Sequence, residues 1–261
     1  MPKPTTTLPT PVSVQPMVDA HLSAVWNFCS RMTLSSDDAQ RAAYETFERA
    51  GHGKPPLDPA EQGLWLLKVA AFVVEQHVSA TPEVDFDLLD ETLRSEATRT
   101  HEVSSLTQPE REYLLWELKQ GCMTAVINCL SPGERVAFVL AAVMGKSEEQ
   151  AATALGIKTS AFKVRLSRAR KKIGDYLAPR CEHVEPRNPC RCPSRIGTAL
   201  SKGFIAPPQT AVVQLRTPNR PFDQEIRSRD AVNIFRTLPE LEVPQTLILR
   251  LQKAVESGAW R

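Results

Sequence analysis

Between Ser131 and Leu177 the apolar residues fall into three helical blocks cut by two glycines, and no other stretch constrains the chain as much. Ser131-Pro132-Gly133-Glu134 is a helix start, with a serine cap, proline where no N–H partner is needed and an acid in the first turn. Val136, Val139, Leu140 and Val143 share the buried face of that helix, and Gly145 ends it. Ser147-Glu148-Glu149-Gln150 has the pattern of a capping box ahead of Ala151, Ala152 and Leu155. Gly156 breaks this second helix where a tight connection between helices needs a small residue. The third block starts near Thr159, and its stripe Phe162, Leu166, Ala169, Ile173 and Tyr176 is spaced by 4, 3, 4 and 3. The spacing predicts a helix-turn-helix.

Lys158, Lys163, Arg165, Arg168, Arg170, Lys171 and Lys172 flank that stripe, and no acid intervenes before Asp175. A helix apolar on one side and cationic on the others suits a DNA major groove; the plainer alternative is a solvated amphipathic helix. Thr159, Ser160, Lys163, Val164 and Ser167 are the candidates for base edges. Arg165, Arg168, Arg170, Lys171 and Lys172 are the candidates for phosphates.

The rest of the chain divides around this unit. Residues 1–18, rich in Pro and Thr, read as a disordered tail. Residues 19–80 form the next unit: Val18, at its edge, and Leu22, Val25, Cys29 and Met32 lie on one helix face. Ser35 to Asp38 cap a second helix that Gly51 and Gly53 are expected to end, and Gln62–Val78 is a helix buried among others. Residues 81–108 read as an acidic linker. Residues 109–177 begin with a long helix whose stripe is Leu115, Leu118, Cys122, Val126 and Cys129. Residues 178–261 form a Cys-containing extension with a helix starting at Pro244, and AVVQLRT inside it reads as a short strand. The predicted class is all-α: two small helical domains joined by the linker, plus the extension. Net charge is only +2 over 261 residues, yet residues 19–105 carry 7 Lys+Arg against 15 Asp+Glu, while residues 131–177 carry 9 against 4. Such asymmetry marks a modular chain with an anion-seeking part.

The stretch SPGERVAFVLAAVMGKSEEQAATALGIKTSAFKVRLSRARKKI resembles the promoter-reading C-terminal domain of extracytoplasmic-function (ECF) sigma factors of the sigma-70 family, with Arg165-Leu166-Ser167-Arg168-Ala169-Arg170 on the family's R-L-x-R-A-R ending. Lys158 stands where the family has a serine cap, so Thr159 or Ser160 is expected to cap the helix. FCSRMTLSSDDAQRAAYETFERA is similar to the segment with which these factors grip a coiled coil of the polymerase largest subunit. The resemblance implies core polymerase and promoter DNA as partners and assigns Asp38, Glu45, Phe47 and Arg49 to polymerase binding, with Phe28, Arg31, Ala39 and Thr46 on matching positions. Tyr44 replaces the usual Gln and Arg41 an acid. The helix that melts the −10 element in the family is rich in Arg, Lys and Asn; here GLWLLKVAAFVVEQHVSA has only Lys68 and His77, and Trp65 and Phe72 are expected in the core. The implied function is a sigma factor; the alternative is a helix-turn-helix regulator that does not engage core polymerase. An anti-sigma factor is compatible with the first reading and not required by it.

Six cysteines divide into two classes. Cys29, Cys122 and Cys129 sit on apolar stripes and read as small core residues. Cys181, Cys190 and Cys192 lie beyond the helix-turn-helix in CEHVEPRNPCRC, where Pro186 and Pro189 fold the chain back and bring Cys181 and His183 towards Cys190 and Cys192. A Cys₃His set suits a thiophilic ion, Cu(I), Zn(II) or Cd(II). A redox-active thiol cluster and unligated thiols are the alternatives. The segment also resembles a branch of ECF sigma factors with a C-terminal Cys-rich, metal-responsive extension, which implies either a switch on promoter binding or a fixed clasp.

The sequence contains no Walker loop, dinucleotide fingerprint or HExxH site, which argues against an enzyme. The longest apolar block, Leu64 to Val74, contains Lys68 and is about half of what a bilayer requires. With no secretory pattern at the N-terminus, the expected compartment is a reducing cytoplasm without membrane attachment.

Overall fold

The computed structural model describes residues 14–77, 84–94, 106–207 and 231–260. The tail before Val14, part of the acidic linker and the AVVQLRT stretch lie outside them. Helices α1 (Gln15–Met32), α2 (Ser36–His52) and α3 (Pro59–His77) pack on one another. After α4 (Phe86–Arg94) come α5 (Gln108–Asn128), α6 (Pro132–Phe138) running on as a π turn over Val139–Val143, α7 (Glu148–Leu155) and α8 (Thr159–Leu177). A 3-10 turn at Cys192–Arg195, α9 (Ile196–Ser201), α10 (Ala231–Arg236) and α11 (Gln245–Glu256) complete the described elements. The fold is all-α, with one isolated β-bridge, Cys181 to Cys190, among the described residues. No helix among them is long and apolar enough to cross a membrane.

Local rules account for most boundaries. Ser35 Oγ accepts the Asp38 N–H at 3.3 Å at the start of α2. Ser147 and Gln150 form the reciprocal capping box at α7, at 3.1 and 3.0 Å. Gly145 and Gly156, both at φ 65°, reverse the chain in the left-handed region that disfavours a Cβ. Three expectations at helix ends are corrected. α8 starts after Lys158 with no side-chain cap, so neither Thr159 nor Ser160 fills that role. Pro244 is the residue before α11 rather than its first. α2 runs through Gly51 to His52, so this glycine serves a contact instead of a stop.

One apolar core joins parts that read as separate in the sequence. Phe28 and Phe47 of the N-terminal helices, Phe138 and Phe162 of the helix-turn-helix, and Phe235 and Leu251 of the extension belong to the same cluster. A smaller cluster joins Tyr113 and Leu114 of α5 to Ile196, Ala199 and Ile205. α5 thus buries different faces along its length, which corrects the single stripe expected of it: Leu114, Met123 and Ile127 are buried, while Leu115, Leu118 and Cys122 are only partly so. The acidic linker contains a docked helix. Phe86 of α4 lies 4.8 Å from Tyr176, and Asp90 Oδ2 accepts from Arg180 Nη2 at 3.1 Å.

Candidate nucleic-acid interface

α8 presents the surface that the sequence singled out. Phe162, Leu166, Ala169, Ile173 and Tyr176 are all buried, which fixes the rotation of the helix. Ser160, Lys163, Val164, Ser167, Arg168 and Lys171 consequently form its solvent face. Val164 is 50% exposed in the middle of that face, an apolar side chain suited to a thymine methyl. The flanks are less free. Lys163 Nζ lies 3.3 Å from Glu148, and Lys172 Nζ 2.7 Å from Glu134. Arg165 turns back so that its Nη1 would be 3.4 Å from a Cβ at Gly133. Arg170 lines a cavity of about 480 Å³ together with Arg236 and residues 141–148, and Thr159 is half-buried. Ser160, Val164, Ser167 and Lys171 run down the centre of the exposed face with Lys163 and Arg168 beside them, so the base-edge and phosphate candidates share this face rather than separating by rotation.

Glu134, read from the sequence only as a first-turn acid, also pairs with Lys172 of α8. Burial raises its pKa, but hydrogen bonds from Lys172 and Ser131 outweigh this and hold it below the usual carboxylate range. The Ser131-x-x-Glu134 spacing was its signal.

A second surface lies on α2 and α3. Asp38 is exposed, and its Oδ1 lies 3.2 Å from Arg41. Glu45 Oε1 accepts from Arg49 Nε at 2.8 Å, its Oε2 lies 2.6 Å from His77 Nε2, and Arg49 Nη2 reaches Gln76 at 2.7 Å. Burial opposes ionisation of Glu45, yet His77 and Arg49 lower its pKa overall. Phe72 is 51% exposed with the Arg49 guanidinium 5.0 Å from its ring centre, which corrects the expectation that it packs in the core. Trp65 is half-buried against the core. Phe47, Phe28, Ala39 and Thr46 are buried and support α2 from beneath. Arg31 is 1% exposed and bonds to Thr124 Oγ1 at 3.0 Å, to Pro239 O at 3.2 Å and to Gln120.

The segment after α8 folds back as its prolines suggested. Asn188 Nδ2 fastens it, donating to Ala178 O at 2.6 Å and Cys181 O at 2.9 Å. Cys181 and Cys190 are paired through their backbones, whereas Cys192 Sγ lies 3.4 Å from His183 Nε2. Ligand atoms of Glu182, His183 and Cys192 lie within 4.8 Å of one another. Glu182 was not foreseen; its Oε1 accepts the Cys192 N–H at 2.6 Å. Burial pushes the Cys122 thiol up to about 12, and the charges of Cys190 and Cys181 add to this, which places α5 beside the cluster.

The helix-turn-helix is also where this chain matches a known family. The profile of the family "Sigma-70, region 4" matches residues 120–173. Residues 120–173 are thus similar to region 4 of the sigma-70 proteins. Region 4 here takes in the end of α5 and α6 through most of α8, the part that carries the exposed cationic face. The chain is also similar to the ECF RNA polymerase sigma factor SigE of Mycolicibacterium smegmatis, 24% identical over 163 residues, covering 62% of this chain. It spans only 60% of that relative's length.

Proposed function

We propose that this chain is an RNA polymerase sigma factor of the ECF class, a non-enzymatic cytoplasmic protein that binds core polymerase and directs promoter-specific initiation. The observation that carries this reading is the solvent face of α8 within region 4: Ser160, Val164, Ser167 and Lys171 in line, with cationic flanks. Such a face reads base edges at its centre and is positioned by phosphates at its margins. Glu45 and Arg49, held by His77 and Gln76, form the surface for polymerase together with the exposed Asp38 beside Arg41. Transcription with purified core polymerase tests it. New start sites that disappear in Val164→Asp and in Arg49→Glu support the reading; promoter binding without polymerase binding leaves the helix-turn-helix regulator in its place.

A second reading concerns the segment after α8. We infer that Cys181, His183, Cys190 and Cys192 hold a thiophilic ion and that its binding gates promoter use. The 3.4 Å approach of Cys192 to His183, with Glu182 beside them, supports a ligand-rich turn at the exit from α8. Thiolate and imidazole donors suit Cu(I), Zn(II) or Cd(II). Metal titration into holoenzyme with wild-type or Cys190→Ala/Cys192→Ala protein tests the gate; transcription independent of metal in both overturns it.

A further inference from the structure

The C-terminal helices cross from region 4 onto the N-terminal helices. α10 sets Phe235 edge-on to Phe138, ring centres 4.9 Å apart, with Ile234 and Phe235 fully buried. The chain then passes over α1. Pro239 O accepts from Arg31, Ser23 Oγ donates to Glu240 at 3.1 Å, and the Leu241 N–H donates to Asn27 Oδ1 at 2.7 Å. α11 lies against α2: Thr246 Oγ1 donates to Gln40 Oε1 at 2.6 Å, and the Arg250 guanidinium stands 4.4 Å from the Tyr44 ring centre. Trp260 meets the same ring edge-on at 5.3 Å. Gly51 makes room for this, because a Cβ there would fall 2.5 Å from the Trp260 Cβ. Two oddities of α2, a tyrosine at position 44 and a glycine inside the helix, are thereby explained as the seat of the C-terminal segment.

We propose that residues 231–260 are an intramolecular strap that occupies the Gln40–Tyr44–Gly51 flank of α2 and pins the N-terminal helices to region 4, so that core polymerase seats fully on this chain only when the strap lifts. The proposal rests on the reading of α2 as a polymerase-binding helix. Asp38, Glu45 and Arg49 lie on the neighbouring flank and stay accessible, so a first encounter precedes release. The strap touches both lobes through side chains that are otherwise apolar and would face water once lifted, notably Phe235, Leu247 and Leu251. A closed chain is therefore the resting state, and polymerase competes with the strap for one side of α2.

The test uses the full chain as wild type, Gly51→Ala and Leu247→Asp/Leu251→Asp. Alanine favours helix over glycine, so Gly51→Ala removes the seat of Trp260 without weakening α2 itself. Hydrogen exchange is followed over α11, and affinity for core polymerase is measured on the same samples. The expected result is faster exchange of α11 in both variants, with polymerase binding at least tenfold tighter than wild type. Faster exchange with unchanged affinity overturns the strap while leaving the polymerase reading intact. Unchanged exchange in both variants overturns it as well. If neither wild type nor variants bind polymerase, the sigma-factor reading fails and the strap's role falls with it.

Discussion

Arg135 in α6 donates from Nη1 to the carbonyl oxygen of Met32, the last residue of α1, at 2.8 Å. The same guanidinium reaches Asn128 Oδ1 and Asn128 O, each at 2.7 Å, and Leu130 O at 3.2 Å, while Asn128 Nδ2 returns a bond to Arg31 O at 3.2 Å. A buried arginine thus closes the end of α1 onto the start of the helix-turn-helix. Arg135→Ala leaves several buried acceptors without this donor and is expected to cost about 3 kcal/mol of stability, read from urea denaturation. A loss below about 1 kcal/mol would contradict the assigned role.

DNA binding by holoenzyme should depend steeply on salt. With about five phosphates neutralised by the flanks of α8, log K falls against log salt with a slope of about −4 to −5. Arg168→Ala is expected to shallow that slope by about 1 with little change in sequence preference, whereas Val164→Ala narrows the difference between matched and mismatched duplexes. Filter binding across a salt series on matched and mismatched duplexes separates the two effects.

Gly156 sits at φ 65° with only Lys68 Nζ near its missing Cβ, at 3.8 Å. Space is not the obstacle there; backbone conformation is. Gly156→Ala should destabilise by about 1–2 kcal/mol, measured as a lower thermal midpoint, without a change in the packing of α7 on α8.

The Glu134–Lys172 pair has a defined pH signature. Its carboxyl is held below its ordinary value in the folded chain, so the contribution is fully present above about pH 4.5 and is lost as pH falls through the folded pKa. Glu134→Gln should therefore flatten the acid limb of the stability curve and leave stability nearly constant between about pH 6 and pH 8. Denaturation midpoints at stepped pH, wild type against variant, read this directly.

Cd(II) offers an optical check on the turn after α8, because thiolate ligation gives an ultraviolet charge-transfer band. With three thiolates in the proposed ligand set, Cys192→Ser is expected to weaken that band without abolishing it, and His183→Ala to weaken affinity with the band retained. Equal spectra in all three proteins would remove Cys192 from the ligand set.

Where a single apolar stripe carries all the burial of a helix, the sequence pattern was enough. The stripe Phe162 to Tyr176 is buried residue for residue, and rotation about it placed Ser160, Val164 and Ser167 outside. α5 resisted the same logic because Tyr113 and Leu114 serve one cluster while Met123 and Ile127 serve another, with Lys119, Gln120 and Asn128 buried between apolar neighbours. The fold-back at Pro186 and Pro189 was legible; Glu182 as a neighbour of His183 and Cys192 was not, since the backbone bond that positions it forms only after the turn closes. α10 is only six residues long, too short to show a period, and Phe235 finds its partner almost a hundred residues upstream. Nothing local in Tyr44 or Gly51 announces Trp260.

Among the described residues, one apolar cluster reaches from Val14 to Trp260 by way of the helix-turn-helix. A partner that recognises an opened chain therefore meets only the open fraction of the population. If about one molecule in a hundred is open, the measured dissociation constant is about a hundredfold weaker than the intrinsic one. If the proposed strap governs access to polymerase, transcriptional output follows the opening equilibrium as closely as it follows the number of copies, and a substitution in the core, remote from any nucleic-acid surface, changes promoter use.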